Sequence, residues 1–235
     1  QPAASSLSRT ADRLMLAALT VSGLIALALG QQYAQMGTAL AVGGLLLALG
    51  AAAGTLAAGT LLSRLVLGCC LMAMTALHIQ LGRGTPELHF GVFVTLGVLL
   101  VYRDWRPIVA AAGLIAVHHV VFDRLQASGA GVYCLTEPDF TRILAHAGYV
   151  VVQTGFEIYM AVLMRRGADA AHEVEAIVGH MGSGASLALD VDQLPVHTPQ
   201  GQALCSAVLR LNAEVIGLAR LDGLWNVTLR DGETV

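Results

Sequence analysis

The long charge-free stretch near the N-terminus most constrains how this chain can fold. No residue between Arg13 and Arg64 carries a formal charge. Because one helical crossing of a bilayer takes ~20 apolar residues, this stretch has room for two crossings and a turn, which is far more than a signal peptide needs. The composition agrees, since 56% of the residues are hydrophobic and only 12% are charged, against roughly 25% charged residues in soluble domains. The sequence therefore predicts a helical membrane protein.

Charged residues and turn residues divide the chain into six apolar segments. Pro107 suits the first turn of a helix, where its missing N–H is not needed, and Gly50 and Gly54 form a small-xxx-small pair that allows close helix packing in lipid. The predicted transmembrane helices run from Leu14 to Gly30, Met36 to Leu56, Arg64 to Gln80, Leu88 to Tyr102, Pro107 to Leu125 and Phe140 to Met164. We expect an all-α fold, with a cytoplasmic lead over residues 1–13 and a six-helix transmembrane bundle over residues 14–166.

Basic residues in the short connections predict the orientation of the bundle. With six crossings, one side of the membrane carries Arg9, Arg13, Arg64, Arg103, Arg106, Arg165 and Arg166, and the other carries Arg83, Arg124 and Arg142. The more basic side is expected to be the cytoplasm, so both termini are predicted to be cytoplasmic.

Residues 167–235 are predicted to form a short cytoplasmic helical connector. After a Gly-Ser break that begins at Gly182, a second helix is expected from Gln200 to Leu221, with apolar residues in a 3.5-residue rhythm that is typical of a dimeric coiled coil. These residues are Leu204, Val208, Leu211, Val215 and Leu218. The connector has no phosphate loop, metal-ligand spacing or nucleophile motif, so we predict no enzyme activity. An output domain is expected beyond Val235.

The net charge and the cysteine spacing argue against nucleic-acid binding, a zinc ribbon and covalently bound haem. The formal net charge is −3, and no run of Lys and Arg offers a nucleic-acid footprint. The four cysteines, Cys69, Cys70, Cys134 and Cys205, stand in no CxxC or CxxCH arrangement, so a zinc ribbon and covalent c-type haem are not expected.

Five histidines lie in or beside the apolar segments: His78, His89, His118, His119 and His146. An ionisable side chain inside a bilayer is costly unless it has a partner or a metal, so a functional site is the default interpretation. At about 1.5 Å per helical residue, all five lie roughly 18–28 Å above the cytoplasmic edge. The sequence therefore predicts one histidine layer in the outer half of the membrane.

Two neutral imidazoles on facing helices can hold a b-type haem, and five histidines could do so twice. Adjacent His118 and His119 point about 100° apart, so they cannot easily share one iron but could each serve a different one. On the last helix His146, Tyr149, Gln153 and Glu157 are predicted to share an inward face. Haem propionates need cations or hydrogen-bond donors near the outer surface, and the candidates there are Arg83, Arg124, Arg142, Gln80 and Gln126.

Other interpretations stay open. Cys69, Cys70, Met72 and Met74 lie near His78, and soft sulfur ligands suit copper, although such residues also fill gaps in apolar helices. Zinc is a further candidate metal. Glu157 is either a hydrogen-bonded structural residue or part of a proton path. A single histidine could also be a simple polar contact between helices.

Four motifs, ELHFGVF, YRDWRPIV, AVHHVVF and HAGYVV, together resemble the six-helix membrane sensor of one group of bacterial chemoreceptors, the methyl-accepting chemotaxis proteins, and of some membrane-anchored adenylate cyclases. The similarity spans Arg64 to Arg166. The resemblance implies a di-haem b-type cytochrome that senses redox state, with quinone as a candidate partner, in a homodimer of the bacterial inner membrane with its haem layer toward the periplasm.

The resemblance also implies which residues bind the cofactors. The candidate iron ligands are His78, His89, His118, His119 and His146, of which two haems need four; His89 and His119 are the first candidates to be omitted. Pairing of helix three with five and of helix four with six is one hypothesis. Tyr149, Arg83 and Arg124 are further candidate haem contacts. The alternative functions are a quinone-linked electron-transfer cytochrome b and a copper- or zinc-binding membrane sensor.

Overall fold

The computed structural model describes residues 2–182, 196–221 and 224–229. The helices are α1 (Pro2–Gln32), α2 (Met36–Leu56), α3 (Leu61–Leu81), α4 (Pro86–Leu99), α5 (Trp105–Ala127), α6 (Phe140–Gly182) and α7 (Pro199–Glu214). A 3-10 turn, Leu100–Tyr102, follows α4, and two strands, β1 (Val215–Leu221) and β2 (Leu224–Leu229), follow α7.

Five helices are long and apolar enough to cross a membrane. They contain the spans Ser8–Gln32, Met36–Leu56, Leu61–Leu81, Trp105–Ala127 and Phe140–Ala176. The prediction of a helical membrane protein is therefore confirmed at this level. The apolar segment Pro86–Tyr102 is shorter than these five, and at 1.5 Å per residue it is about 25 Å long. A sixth crossing, and with it the predicted orientation, stays a prediction.

Helix α3 lies at the centre of the bundle. It packs against α1 and α2 on one side and against α4 and α5 on the other. Its side chains Leu67, Met72 and Ile79 are fully buried. The small residues of α2 act as predicted, because Gly50 and Gly54 face leucine side chains of α1 so closely that a Cβ atom there would collide with them.

One end of the bundle is fixed by a buried acidic residue of α1. The Asp12 carboxylate accepts hydrogen bonds from the Gly59 backbone N–H (2.7 Å), the Ser63 hydroxyl (2.8 Å) and the Tyr102 hydroxyl (2.9 Å). Asp12 is only 1% exposed. Because a buried carboxylate needs such donors, this network joins α1, the α2–α3 connection and the turn after α4.

A second buried acid lies at the same end. Asp104 caps α5 by accepting a hydrogen bond from the Arg106 N–H at 3.1 Å, and it forms ion pairs with Arg106 (2.9 Å) and Arg64 (3.3 Å). Burial opposes the charged form of Asp104, but the hydrogen bonds and the positive charge of Arg106 outweigh it and hold the pKa of this carboxyl below its usual value. These ion pairs join the start of α5 to α3.

Residues 163–235 form a second compact unit. There the Glu173 carboxylate accepts hydrogen bonds from the backbone N–H groups of His197 (2.9 Å) and Thr198 (2.9 Å), directly before α7. The strands β1 and β2 pair antiparallel, with Leu221 opposite Leu224. Residues 183–195, which include most of the predicted Gly-Ser break, lie outside the described residues.

The predicted second helix of the connector is only partly correct. Helix α7 ends at Glu214, and Val215–Leu221 is a strand rather than helix. The heptad-like rhythm was therefore misleading beyond Glu214. The sequence also contains a signal for two strands, because an Asp-Gly dipeptide, Asp222-Gly223, between two apolar runs is typical of a β-hairpin connection.

Candidate functional site

Four of the five membrane histidines come together at one end of the bundle. His89 lies at the start of α4, His118 and His119 lie in the second half of α5, and His146 lies near the start of α6. Ring centroids are 5.5 Å apart for His89 and His119, 5.4 Å for His89 and His146, and 5.4 Å for His118 and His119. We call these four residues the histidine cluster.

His78 is not part of the histidine cluster. It lies near the end of α3, as expected, but its Nε2 atom is 2.8 Å from the Ser22 carbonyl oxygen of α1. The side chain therefore contacts α1 rather than α4, α5 or α6. A neutral imidazole that donates to this carbonyl is a satisfied polar contact between two helices.

His89 is 3% exposed and has both ring nitrogens beside carbonyl oxygens. Nδ1 is 3.0 Å from the Thr85 oxygen and Nε2 is 2.9 Å from the Cys134 oxygen. A neutral ring donates to only one of these carbonyls, but both nitrogens lie against backbone oxygens, so neither points into open space where a metal could bind. His89 instead joins α4 to the loop between α5 and α6.

His119 and His146 have the arrangement that metal-ligating histidines use. His119 Nδ1 is 2.9 Å from the Ile115 oxygen, and His146 Nδ1 is 3.0 Å from the Arg142 oxygen, in each case one helical turn earlier. A carbonyl acceptor holds the proton on Nδ1 of a neutral ring, so the Nε2 lone pair is available. The two ring centroids are 6.5 Å apart and the ring planes are 29° from parallel.

This separation leaves room for one metal between the two rings. With metal–nitrogen bonds of about 2 Å, two such imidazoles place their ring centroids roughly 6 Å apart. His119, one of the first candidates for omission, thus has better ligand geometry than His89. This pair joins α5 to α6, which differs from both predicted helix pairings.

An apolar cavity of about 550 Å³ adjoins this pair, between α4, α5 and α6. We call it the α6 cavity. Three members of the histidine cluster, His89, His119 and His146, line it together with Thr154 and apolar residues. The volume lies within the range of about 300–1,000 Å³ that is usual for ligand sites. The apolar lining and available imidazoles fit the donor set and surroundings that a b-type haem needs. The His89 ring, 5.5 Å from His119 and 5.4 Å from His146, would have to move aside for the macrocycle.

Helix α6 forms one wall of the cavity but is loosely packed. In the described part of the chain it has no extensive backbone contact with another helix.

The polar face of α6 is narrower than predicted. Glu157 is buried, and Gln153 Nε2 donates a hydrogen bond to it at 2.5 Å, whereas Tyr149 is 72% exposed. Tyr149 is about 60° from His146 around the helix, so the prediction that it faces inward was wrong.

The two basic residues predicted to contact haem also lie outside the cavity lining. Arg83 is exposed in the turn between α3 and α4. The Arg124 guanidinium stacks on the Phe140 ring, 4.2 Å from its centroid. These positions join Arg124 to the start of α6 and give Arg83 no contact with the cavity.

The cysteine and methionine side chains of α3, which were candidate copper ligands, lie mostly in the hydrophobic core. Cys70, Met72 and Met74 are buried in the hydrophobic core, and Cys69 is partly buried. Among the described residues, the only group of three His, Cys, Asp or Glu side chains with metal-site spacing is elsewhere. Core packing therefore accounts for these side chains without a metal.

That group combines two histidines of α5 with a loop cysteine. Ligand atoms of His118, His119 and Cys134 all lie within 4.8 Å of one another. Burial raises the pKa of the Cys134 thiol to about 12, and the nearby Asp123 carboxylate adds to this rise. Sequence reasoning missed Cys134 because only the folded loop between α5 and α6 brings it beside the histidines.

No family model matches the sequence, and no curated protein or solved structure matches it. The function is therefore inferred from the residues of the site.

Proposed function

We propose that this chain is a membrane redox sensor that binds a b-type haem between α5 and α6, where His119 and His146 would hold the iron. The observation that carries this proposal is the pair of neighbouring rings, 6.5 Å between centroids, with each Nδ1 beside a backbone carbonyl. Bound haem would supply one-electron redox chemistry at its iron.

The surroundings of the pair support the same proposal. The α6 cavity offers apolar walls such as Val92, Phe93 and Val150 beside the imidazoles. Apolar walls exclude water and lower the local dielectric, so the charge of a bound group would act strongly on nearby helices. The buried Thr154 hydroxyl, which has no partner among the described residues, is a polar group that a ligand in the cavity could satisfy.

The expected second haem has weaker support. It would need two of the remaining histidines, and two of these already have partners: His78 contacts the Ser22 carbonyl and His89 contacts two carbonyls. His118 retains a buried Nδ1 atom without a partner among the described residues. We therefore propose one haem on structural grounds and leave two haems as the sequence-based prediction.

The signal would pass through α6, because this helix carries His146 and has little other packing to hold it. We further propose a bacterial inner-membrane location, cytoplasmic termini, a haem layer near the periplasm and a homodimer that controls a cytoplasmic output. Quinone is the proposed redox partner. These points rest on the basic-residue pattern and on the chemoreceptor resemblance.

A reduced-minus-oxidised visible spectrum of the purified chain, with haem quantified per chain, tests the proposal. We expect the bands of a low-spin bis-imidazole haem and at least one haem per chain. A value near two would restore the second site. Purified protein that neither contains haem nor binds added haemin would refute the haem proposal.

A further inference from the structure

We propose that His118, His119 and Cys134 form a binding site for one thiophilic divalent cation, zinc, and that this cation competes with haem for His119. The cation site rests on its own three residues. Only the competition rests on the proposed haem function.

The geometry is close to that of a tetrahedral site. The three ligand atoms lie within 4.8 Å of one another, and the two imidazole centroids are 5.4 Å apart with their planes at 71°. Zinc bonds of about 2.0 Å to nitrogen and 2.3 Å to sulfur would bring the donor atoms to roughly 3–4 Å from one another. Side-chain rotations that move these atoms by about 1 Å complete the site.

A second observation points to a ligand at this place. The Nδ1 atom of His118 is buried and has no hydrogen-bond partner among the described residues. The Cys134 thiol is completely buried, and its sulfur makes only a weak contact, 3.8 Å from the His119 carbonyl oxygen. Buried polar atoms without good partners are costly, and a cation bound through the thiol and through His118 Nδ1 would satisfy both.

The loop holds Cys134 in position through its backbone. Its N–H donates to Gln126 Oε1 at 2.8 Å, and its carbonyl oxygen lies 2.9 Å from His89 Nε2. The buried Asp123 carboxylate is near enough to act on the thiol, and its negative charge favours a cation. The site is thus largely formed before a metal binds, which lowers the cost of binding.

Binding would replace the thiol proton. The S–H bond of Cys134 breaks, the proton goes to solvent and a Zn–S bond forms, with no change of oxidation state. His119 has only its Nε2 lone pair to offer, because Nδ1 is beside the Ile115 carbonyl. A single lone pair cannot hold zinc and haem iron together, so the two occupants exclude each other.

Cadmium tests the site because the cadmium–thiolate bond absorbs in the ultraviolet. We would titrate the purified full-length chain with Cd²⁺ and repeat the titration with Zn²⁺ as a competitor. The expected result is one cation per chain, displaced by zinc. Cys134→Ser is expected to weaken cadmium binding by more than about 10-fold. In metal sites generally, changing a residue that only supports a ligand already weakens binding by about 10-fold, and Cys134 is itself a proposed ligand. Cys70→Ser removes another buried thiol and should leave binding unchanged.

The outcomes separate the two proposals. Persistence of the cadmium band in Cys134→Ser, with its helix content intact, would overturn the cation site. His146→Ala removes the proposed haem ligand but no cation ligand, so it should still bind cadmium. If wild type binds cadmium but never haem, the haem proposal fails while the cation site stands. If cadmium binds without lowering the haem content, competition for His119 is refuted.

Discussion

The imidazole rings of His119 on α5 and His146 on α6 lie with their centroids 6.5 Å apart and their planes 29° from parallel. Each Nδ1 atom lies beside the carbonyl oxygen of the preceding helical turn. This pairing directs both Nε2 lone pairs away from the helix backbones and makes the two residues matched ligand candidates.

Replacing either residue of this pair is expected to remove the low-spin haem spectrum. His119→Ala and His146→Ala each leave an iron with one axial ligand, whereas His78→Ala removes only a contact with the Ser22 carbonyl. Visible spectra and haem content of the three purified variants provide the measurement. Full low-spin haem in His146→Ala, or its loss in His78→Ala alone, would contradict the assignment.

Filling the α6 cavity should weaken haem binding without unfolding the protein. Gly113 lines the cavity, and a Cβ added there would meet no other atom within 4 Å. Gly113→Leu would occupy space that haem needs, and overpacking of about 1–3 kcal/mol corresponds to binding weaker by roughly 5- to 150-fold. Haemin titration measures the change.

Gly44→Leu is the matched control, because Gly44 on α2 also has no atom within 4 Å of an added Cβ but does not line the cavity. Equal loss of haem affinity in both variants would show that the cavity is not the haem site.

Tyr102→Phe should lower the free energy of unfolding by about 1–3 kcal/mol, because Asp12 loses one of its donors while it remains buried. Thermal or denaturant unfolding in detergent measures this loss. Tyr149→Phe changes an exposed tyrosine in the same chemical way and should change neither stability nor haem content. A haem loss in Tyr149→Phe would restore the prediction that Tyr149 contacts the cofactor.

Asp104 should make the free energy of unfolding depend on pH in the acidic range. Its pKa is lower in the folded protein than its ordinary value, through Arg106 and Arg64, so its ion pairs stabilise the fold above about pH 4. Asp104→Asn is expected to cost about 2 kcal/mol at neutral pH. The difference from wild type should shrink as the pH falls through the lowered pKa.

Asp139→Asn is the control for this series. Asp139 pairs with Arg142 at 3.2 Å, but both side chains are substantially exposed, so at most about 1 kcal/mol is expected. Unfolding of both variants between neutral pH and pH 3 provides the comparison. A pH-independent deficit in Asp104→Asn would mean that the charge of Asp104 contributes nothing.

Helix positions followed well from local apolar patterns, and the meeting of the histidines followed from their similar depth along the predicted helices. The predicted α2, Met36 to Leu56, has the bounds found in the structure, and four of the five histidines do meet. Side-chain direction was harder to predict. His78 points to α1 because Ser22 offers a carbonyl there, and no periodicity in α3 specifies this partner.

The contacts of Cys134 were also beyond sequence reasoning. The cysteine lies in a loop, and its distance to His119 depends on hydrogen bonds with Gln126 and His89. Such a contact between distant segments has no signature in residue spacing. The start of β1 at Val215 was missed for a different reason, because an apolar rhythm was preferred over a turn dipeptide that was visible in the sequence.

The loose packing of α6 gives the occupant of its cavity a mechanical role. Helices α1 to α5 are joined by leucine packing and, at one end, by buried acids, whereas α6 meets its neighbours largely across the cavity. A molecule in that space would become part of the hydrophobic core. The position of α6 would then depend on what the protein has bound. Ligand binding and the packing of α6 against the bundle would be thermodynamically coupled.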